Sequence, residues 1–448
     1  MEGYRVSDLF FARSQMAMSL AFHIVFAALG IGMPLLMAIA EGIYLRTRQA
    51  VYLELCKRWS RGAAILFAVG AVSGTVLSFE LGLLWPGFME RAGAIIGMPF
   101  SLEGFAFFTE AIFMGVYLYG WNRLPPFLHW LSGVCVAGSG IASGIFVVTA
   151  NAWMNAPVGF KIVDGKMAEI DPIAAMLNPS SFHEVLHMML AAFVATGFSV
   201  AAVHAFFLLQ DRRSPFHRSA LGIALAVACV SIPLQLLSGD LSARSVSRLQ
   251  PVKLAAMEAH YRTQTGAPLL VGGIPDDAHR RTGYALRIPG GLSFLLTGDP
   301  NAKVVGLEEF PVGDWPNVRI VHWAFDMMVG AGMAMLAFAA WSGWLGWKHR
   351  GLPDHPWLLR ALVAAGPLGF VAIEAGWVVT EVGRQPWIIY GVMRTKDAVT
   401  PMPWMIVPFV VFTGIYLFLA LIVIVLLRRQ FLETSKPVSE SLRGPTHA

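Results

Sequence analysis

The run Val371–Trp387, V-A-I-E-A-G-W-V-V-T-E-V-G-R-Q-P-W, decides how the chain must fold. It sets two carboxylates inside an apolar helix. Glu374, Trp377 and Glu381 follow one another at i, i+3 and i+7 and share one helical stripe. Gly383 is placed to end the helix ahead of Arg384 and Pro386. A charge within hydrocarbon costs at least ~2.5 kcal/mol, so such carboxylates face a partner, a cofactor or water.

The rest of the chain supplies the hydrocarbon. Its 448 residues are 56% hydrophobic and only 14% charged, which excludes a water-soluble domain and implies an all-α polytopic membrane protein. Apolar runs of spanning length lie near 15–41, 62–84, 100–121, 127–151, 183–209, 217–238, 319–346, 358–381 and 404–427, about nine transmembrane helices. Basic residues collect in alternate connections: Arg46, Arg48, Lys57, Arg58 and Arg61; Arg123; Arg212, Arg213 and Arg218; Lys348 and Arg350; Arg428 and Arg429. By the positive-inside rule those connections are cytoplasmic, the N-terminus is outside and the C-terminus inside. The expected organisation is helices 1–6 over 1–238, a long external loop over 239–318, helices 7–9 over 319–430 and a cytoplasmic tail over 431–448. The first apolar run has no small-residue cleavage site behind it and is expected to be retained.

The net charge of +5 follows this topology and implies no nucleic-acid partner. Cys56, Cys135 and Cys229 form neither CxxC nor CxxCH, against covalent haem or a cysteine-ligated cluster. The external loop carries a short expected helix in K-L-A-A-M-E-A-H-Y, Lys253–Tyr261.

Several polar residues are expected toward the outer leaflet. His23 lies near the outer end of helix 1, Glu80 closes helix 2, Glu103 opens helix 3, His187 opens helix 5, Met328 lies in the outer half of helix 7 and Glu381 closes helix 8. Glu110 shares a face with Glu103, about 10 Å deeper. A lone buried histidine is more often a packing residue than a ligand, and an apolar-face methionine more often fills a core. Two histidines and a methionine at similar depth point instead to haem, whose iron takes axial His and Met. Paired membrane carboxylates fit a proton relay, although carboxyls kept neutral by burial also fit. His183, Glu184 and His187 spell the zinc motif HExxH, without a recognisable third ligand. Cofactor binding, ion transport and zinc hydrolysis all remain open on these residues alone.

Four runs, taken in order, carry a resemblance: S-L-E-G-F-A-F-F-T-E (Ser101–Glu110), K-L-A-A-M-E (Lys253–Glu258), E-A-G-W (Glu374–Trp377) and G-R-Q-P-W (Gly383–Trp387). Together they resemble subunit I of the cytochrome bd quinol oxidases, over nearly the whole chain. The resemblance implies a low-spin haem b, a high-spin haem b and an oxygen-reactive haem d, with a third haem b as the alternative in the cyanide-insensitive subgroup that the short loop resembles. It implies His187 and Met328 as axial ligands of the low-spin haem, His23 on haem d and Glu381 on the high-spin haem b. Trp377 would be the aromatic between haems. Glu374 and Arg384 would meet propionates, Lys253 and Glu258 the quinol, and Glu103 and Glu110 the incoming protons, with Asn151 a further polar position. Quinol would be oxidised at the outer face of a bacterial inner membrane and oxygen reduced to water, separating charge without a pump. The implied partners are a second membrane subunit, small single-helix subunits and the lipid bilayer. Asp326 stands where some members carry arginine, so the low-spin haem is expected to lack a positive charge beside its propionates and to have a shifted redox potential.

Overall fold

A computed structural model describes residues 2–352, 354–400 and 402–434, with the backbone alone at 2–7 and 431–434. Among these residues nine helical segments are long and apolar enough to cross a bilayer. The expected tail at 435–448 lies outside the described residues.

The helices are α1 (Glu2–Thr47), α2 (Ala50–Leu84), α3 (Pro86–Tyr119), α4 (Pro126–Asn155), the short α5 (Pro172–Met176), α6 (Ser181–Gln210), α7 (Pro215–Leu249), the short α8 (Pro251–Met257) and α9 (Gly291–Thr297), α10 (Val318–His349), α11 (Pro356–Ala365), α12 (Leu368–Gly383) and α13 (Ile406–Thr434). Proline opens six of the helices from α2 onward at N1 or N2, where its missing N–H costs no hydrogen bond.

Two four-helix groups lie side by side. In one, α1 packs on α2 and α4, and α3 on α4 and α2; in the other, α6 packs on α7, α11 and α12, and α10 on α7 and α12. Contacts of α1 with α6 and of α4 with α6 join the groups, and α13 covers α1 and α2. The join is backbone-close. A Cβ on Gly32 of α1 would fall 2.2 Å from Thr196 Oγ1, and one on Gly369 of α12 would fall 2.4 Å from Ala195 Cα. Small residues permit this approach in a membrane, where packing replaces the hydrophobic drive.

Several boundaries differ from the sequence reading. α1 begins at Glu2 and α2 at Ala50, so His23 sits near the middle of a 46-residue helix instead of near its outer end. α3 begins at Pro86, so Glu103 sits in the middle of a 34-residue helix instead of opening it. The apolar-run criterion missed its first turns because Glu90 and Arg91 interrupt them. The eighth span breaks at Gly366–Pro367 into α11 and α12, where the N–H that Pro367 lacks coincides with a glycine; Pro34, Pro99 and Pro233, without that pairing, are accommodated inside α1, α3 and α7. α7 continues past Ser238 to Leu249, so the loop begins at Gln250, where Pro251 follows.

The loop crosses one end of the bundle. It starts with α8 and continues as three short antiparallel pairs, Gln264–Thr265 with Lys303–Val304, Leu269–Val271 with Leu286–Ile288, and Ile274–Asp276 with Arg281–Gly283. α10 pins it: His322 Nδ1 lies 2.7 Å from Met257 O, His322 Nε2 lies 3.2 Å from Gly272 O, and Trp323 Nε1 donates to Gly273 O at 3.0 Å. All the basic clusters named above fall at or near the opposite end.

Candidate functional site

α6 and α10 share no substantial contact among the described residues, yet each packs on both α7 and α12. The four helices therefore bound a slot between α6 and α10; His187 lies on α6 beside α7, and Met328 on α10 beside α12. The side walls carry glycines. A Cβ on Gly239 of α7 would approach His187 Cε1 to 3.5 Å, and one on Gly376 of α12 would approach Met328 Sδ to 3.1 Å.

The histidine is tuned by its neighbour. Ser238 Oγ donates to Gln235 O at 2.8 Å, so its lone pair is left to accept from His187 Nδ1–H at 2.9 Å. That tautomer leaves Nε2 an acceptor, the form a metal-ligating imidazole needs, with its pair turned toward the Gln235 amide. Gln235 Nε2 lies 3.1 Å from the same His187 Nε2. His23 repeats the device. Ser73 Oγ donates to Val69 O at 2.9 Å and accepts from His23 Nδ1 at 2.9 Å, while a Cβ on Gly74 would come within 3.0 Å of His23 Cε1. The serines were not singled out from sequence; a serine within reach of a candidate ligand is too common a signal.

Glu381 lies in a dense polar joint at the loop end. Asn151 Nδ2 donates to its Oε1 at 2.6 Å and Arg384 to its Oε2 at 2.5 Å. Asn155, one turn beyond Asn151, is the hub. Its Oδ1 accepts from Lys253 Nζ at 2.8 Å, Gln250 Nε2 at 3.3 Å and Arg384 Nη1 at 3.4 Å, and its Nδ2 donates to Glu184 at 3.1 and 3.4 Å. Three donors around Oδ1 fix the orientation of this amide. Asn155 and Gln250 were missed, although Asn151 and Asn155 at i and i+4 mark one polar face on an otherwise apolar helix.

The signature G-R-Q-P-W builds the corner of this joint. Gly383 admits the Lys253 side chain, whose Cγ would lie 3.0 Å from a Cβ there. Gln385 Oε1 accepts from Thr395 Oγ1 at 2.8 Å, the Gln385–Pro386 peptide is cis, and Trp387 lies under the Arg394 guanidinium, 4.6 Å from ring centroid to Cζ. Arg394 in turn pairs with Asp314 of the loop at 2.6 Å.

Lys253 and Glu258 leave α8 in different directions. Burial, first, and Arg384, second among the lowering causes, hold the Lys253 ammonium below its ordinary pKa against the opposing pull of Glu184 and Glu381. Glu258 is pushed up to about 8, by burial first and by Asp326 second. Asp326 lies 3.5 Å from His322 Nε2, so this acid faces the residue that pins the loop.

Other expected positions stand apart. Trp377 belongs to the apolar cluster joining α1, α6 and α12 with Ala28, Ile31, Ala195 and Ile373. Glu374 joins no hydrogen-bond network among the described residues. Glu103 accepts from Ser143 Oγ at 3.1 Å, and Glu110 is buried against Gly140 of α4. Glu80 is buried and accepts from Gln15 at 2.9 Å. The HExxH run is parted: His183 faces Ser242 at 3.2 Å, His187 faces Ser238, and Glu184 binds Asn155. Among the described residues no group of three such side chains is set to hold a metal ion.

The sequence model of the cytochrome bd terminal oxidase subunit I family matches residues 11–435. The chain is 37% identical over 441 residues to a putative cytochrome bd menaquinol oxidase subunit I of Bacillus subtilis, covering 98% of this chain and 99% of the relative. It is 30% identical to the cytochrome bd-II ubiquinol oxidase subunit 1 of Escherichia coli, covering 86% and 88%. Its fold superposes on the bd oxidase of Geobacillus thermodenitrificans with a TM-score of 0.90 at 38% identity, covering 97% of this chain and 100% of that one. Four motifs in order, nine membrane-length helices and these matches place the chain in one family: it belongs to the cytochrome bd terminal oxidase subunit I family.

Proposed function

We propose that this chain, paired with a second membrane subunit, oxidises quinol beside Lys253 and Glu258 at the outer face of a bacterial inner membrane and reduces oxygen to water within the bundle. The observation that carries it is the slot between α6 and α10, with His187 on one helix, Met328 on the other and glycines of α7 and α12 beside them. The residues fit haem. His187 and Met328 would hold a low-spin haem b, His23 a haem d or a third haem b, and Glu381 a high-spin haem b. When bound, these haems supply one-electron transfer and, at the His23 site, reduction of oxygen.

The protein's own groups handle charge and protons. Ser238 and Ser73 accept from the Nδ1–H of the two histidines and orient their rings. Asn151 and Arg384 hold the Glu381 carboxylate in place. Hydroquinone releases two protons and two electrons, and Glu258, buried beneath the loop, accepts one of those protons. Glu103 and Glu110 pass protons inward from the opposite end, which the basic clusters mark as cytoplasmic. Quinol protons leaving on one side and protons entering on the other separate charge without a pump.

Glu258 gives this reading a sign in pH. Only the ionised carboxylate accepts a proton, and burial beside Asp326 raises its pKa to about 8. The expected kcat/KM for quinol therefore rises with pH up to about 8, roughly tenfold per unit below that. Asp326→Asn removes the second cause and should move this ascending limb to lower pH. Steady-state oxidation from pH 6 to 9 reads both; a flat profile in the unmodified enzyme would remove Glu258 as the acceptor.

The deciding experiment on the whole reading is a dithionite-reduced minus air-oxidised spectrum of the purified complex, with extraction of its haems. A far-red chlorin band beside b-type bands supports haem d. Only b-type bands with retained quinol oxidation replace haem d by haem b, and a colourless protein would sink the assignment.

A further inference from the structure

Resting on the reading of Lys253 as a quinol-site residue, we propose that Glu184 is the counter-charge that keeps Lys253 an ammonium, acting through Asn155. Glu184 is thus a positioning residue of quinol oxidation.

Glu184 is the part of the HExxH run that the haem reading leaves unused. Lys253 is 4% exposed, and among the described residues its Nζ makes one hydrogen bond, to Asn155 Oδ1. A buried ammonium without compensating negative charge loses its proton. The groups facing Lys253 are Glu184 and His183 of α6, Glu381 of α12 and Arg384 beside it, and the uncharged Asn155 of α4. Arg384 and a charged His183 would drive the proton off. Glu381 is already held by Arg384 and Asn151, and it would be further committed as an iron ligand.

That leaves Glu184, whose side-chain hydrogen bonds among the described residues come from Asn155 alone. The amide relays its charge. Its NH2 faces the carboxylate and its oxygen faces the ammonium, so the dipole points favourably at both ends. Ionic partners strengthen each link of such a chain. The arrangement also explains why one oxygen is crowded by three donors: Lys253, Gln250 and Arg384 all point at the end of a dipole that a carboxylate polarises.

A structural cap would behave differently. Glu184→Gln preserves shape and can still hydrogen-bond Asn155, so a purely structural role predicts an unchanged pH profile. A counter-charge predicts that the ammonium is lost sooner as pH rises. The test is kcat/KM for a short-chain quinol, measured on the purified complex with its partner subunit from pH 6 to 9.5. In Glu184→Gln the descending limb should move to lower pH by about one unit, giving about tenfold lower kcat/KM on the alkaline side and recovery in acid. Glu184→Asp should keep the limb within a few tenths of a unit. The double variant Glu184→Gln with Asn155→Asp moves the carboxylate directly onto Lys253 and should restore the limb.

A Glu184→Gln profile superimposed on the parent, while Lys253→Met abolishes quinol oxidation, overturns the inference and leaves the quinol reading standing. Should Lys253→Met itself retain the parent kcat/KM, the quinol reading falls and the inference with it. If Glu184→Gln does not assemble with its b-type bands, the double variant decides: a parent-like limb supports the counter-charge, and a limb displaced toward acid overturns it.

Discussion

Replacing His187 by alanine is expected to remove the low-spin b-type band from the spectrum of the purified complex and to stop quinol oxidation. The expectation follows from the slot between α6 and α10. His187 on α6 and Met328 on α10 border it beside Gly239 of α7 and Gly376 of α12, whereas His183, one turn outward, turns its Nδ1 to Ser242. Without His187 the site would keep only one of the two residues that would hold the haem, and quinol oxidation would lose its electron acceptor. Graded variants sharpen the test. Ser238→Ala removes the hydrogen bond that fixes the His187 tautomer and should weaken haem retention by roughly 10–100-fold while leaving the fold intact. His183→Ala should keep the low-spin band, because the slot does not use it. A His187→Ala complex with an unchanged b-type spectrum would show that the slot is not the low-spin site. Loss of all activity in His183→Ala with the haem bands intact would instead revive the zinc reading of HExxH.

The helices were legible in the sequence because a bilayer demands a long apolar run for each span and leaves little freedom in counting them. Depth was less legible. Glu103 looked like the start of a helix because Glu90 and Arg91 break the apolar run ahead of it, yet helical hydrogen bonding continues through them toward the loop end. Pro367 was inside an apolar run and broke it anyway, since hydropathy does not register a missing N–H. At the site, residue types with chemical character stood out: His23, His187, Met328, Glu381 and Lys253. Their supports did not. Ser73, Ser238 and Asn155 are ordinary residues whose roles come from facing a particular partner across a helix interface, and interhelical register is absent from a single sequence. Glu184 shows the converse. Its motif suggested zinc chemistry, but neighbouring α4 supplies an amide that draws the carboxylate into the Lys253 joint.

Replacing Glu110 by glutamine is the other change expected to have a large effect, and it separates proton supply from electron supply. Glu110 is 6% exposed, on the α3 face packed against α4. Gly140 makes room for it: a Cβ there would meet the Glu110 carboxyl at 3.5 Å and Gly30 O of α1 at 3.3 Å. Glu103, two turns nearer the loop end on the same face, accepts a hydrogen bond from Ser143. The two carboxylates are about 10 Å apart along the helix, too far for direct transfer, so water must bridge them. Glutamine fills the same space and forms similar hydrogen bonds, but it cannot release and regain a proton. Steady-state turnover should therefore fall by about 10²–10⁴-fold, the usual worth of a positioned acid–base group. Reduction of the haems by quinol in the absence of oxygen should keep its parent rate, because on the proposed reading that half of the reaction would release its protons at the loop end. Stopped-flow spectroscopy reads the two halves separately. Turnover within threefold of the parent would place the proton route elsewhere, whereas equal losses in both halves would mean that the substitution disturbs the bundle and not the relay.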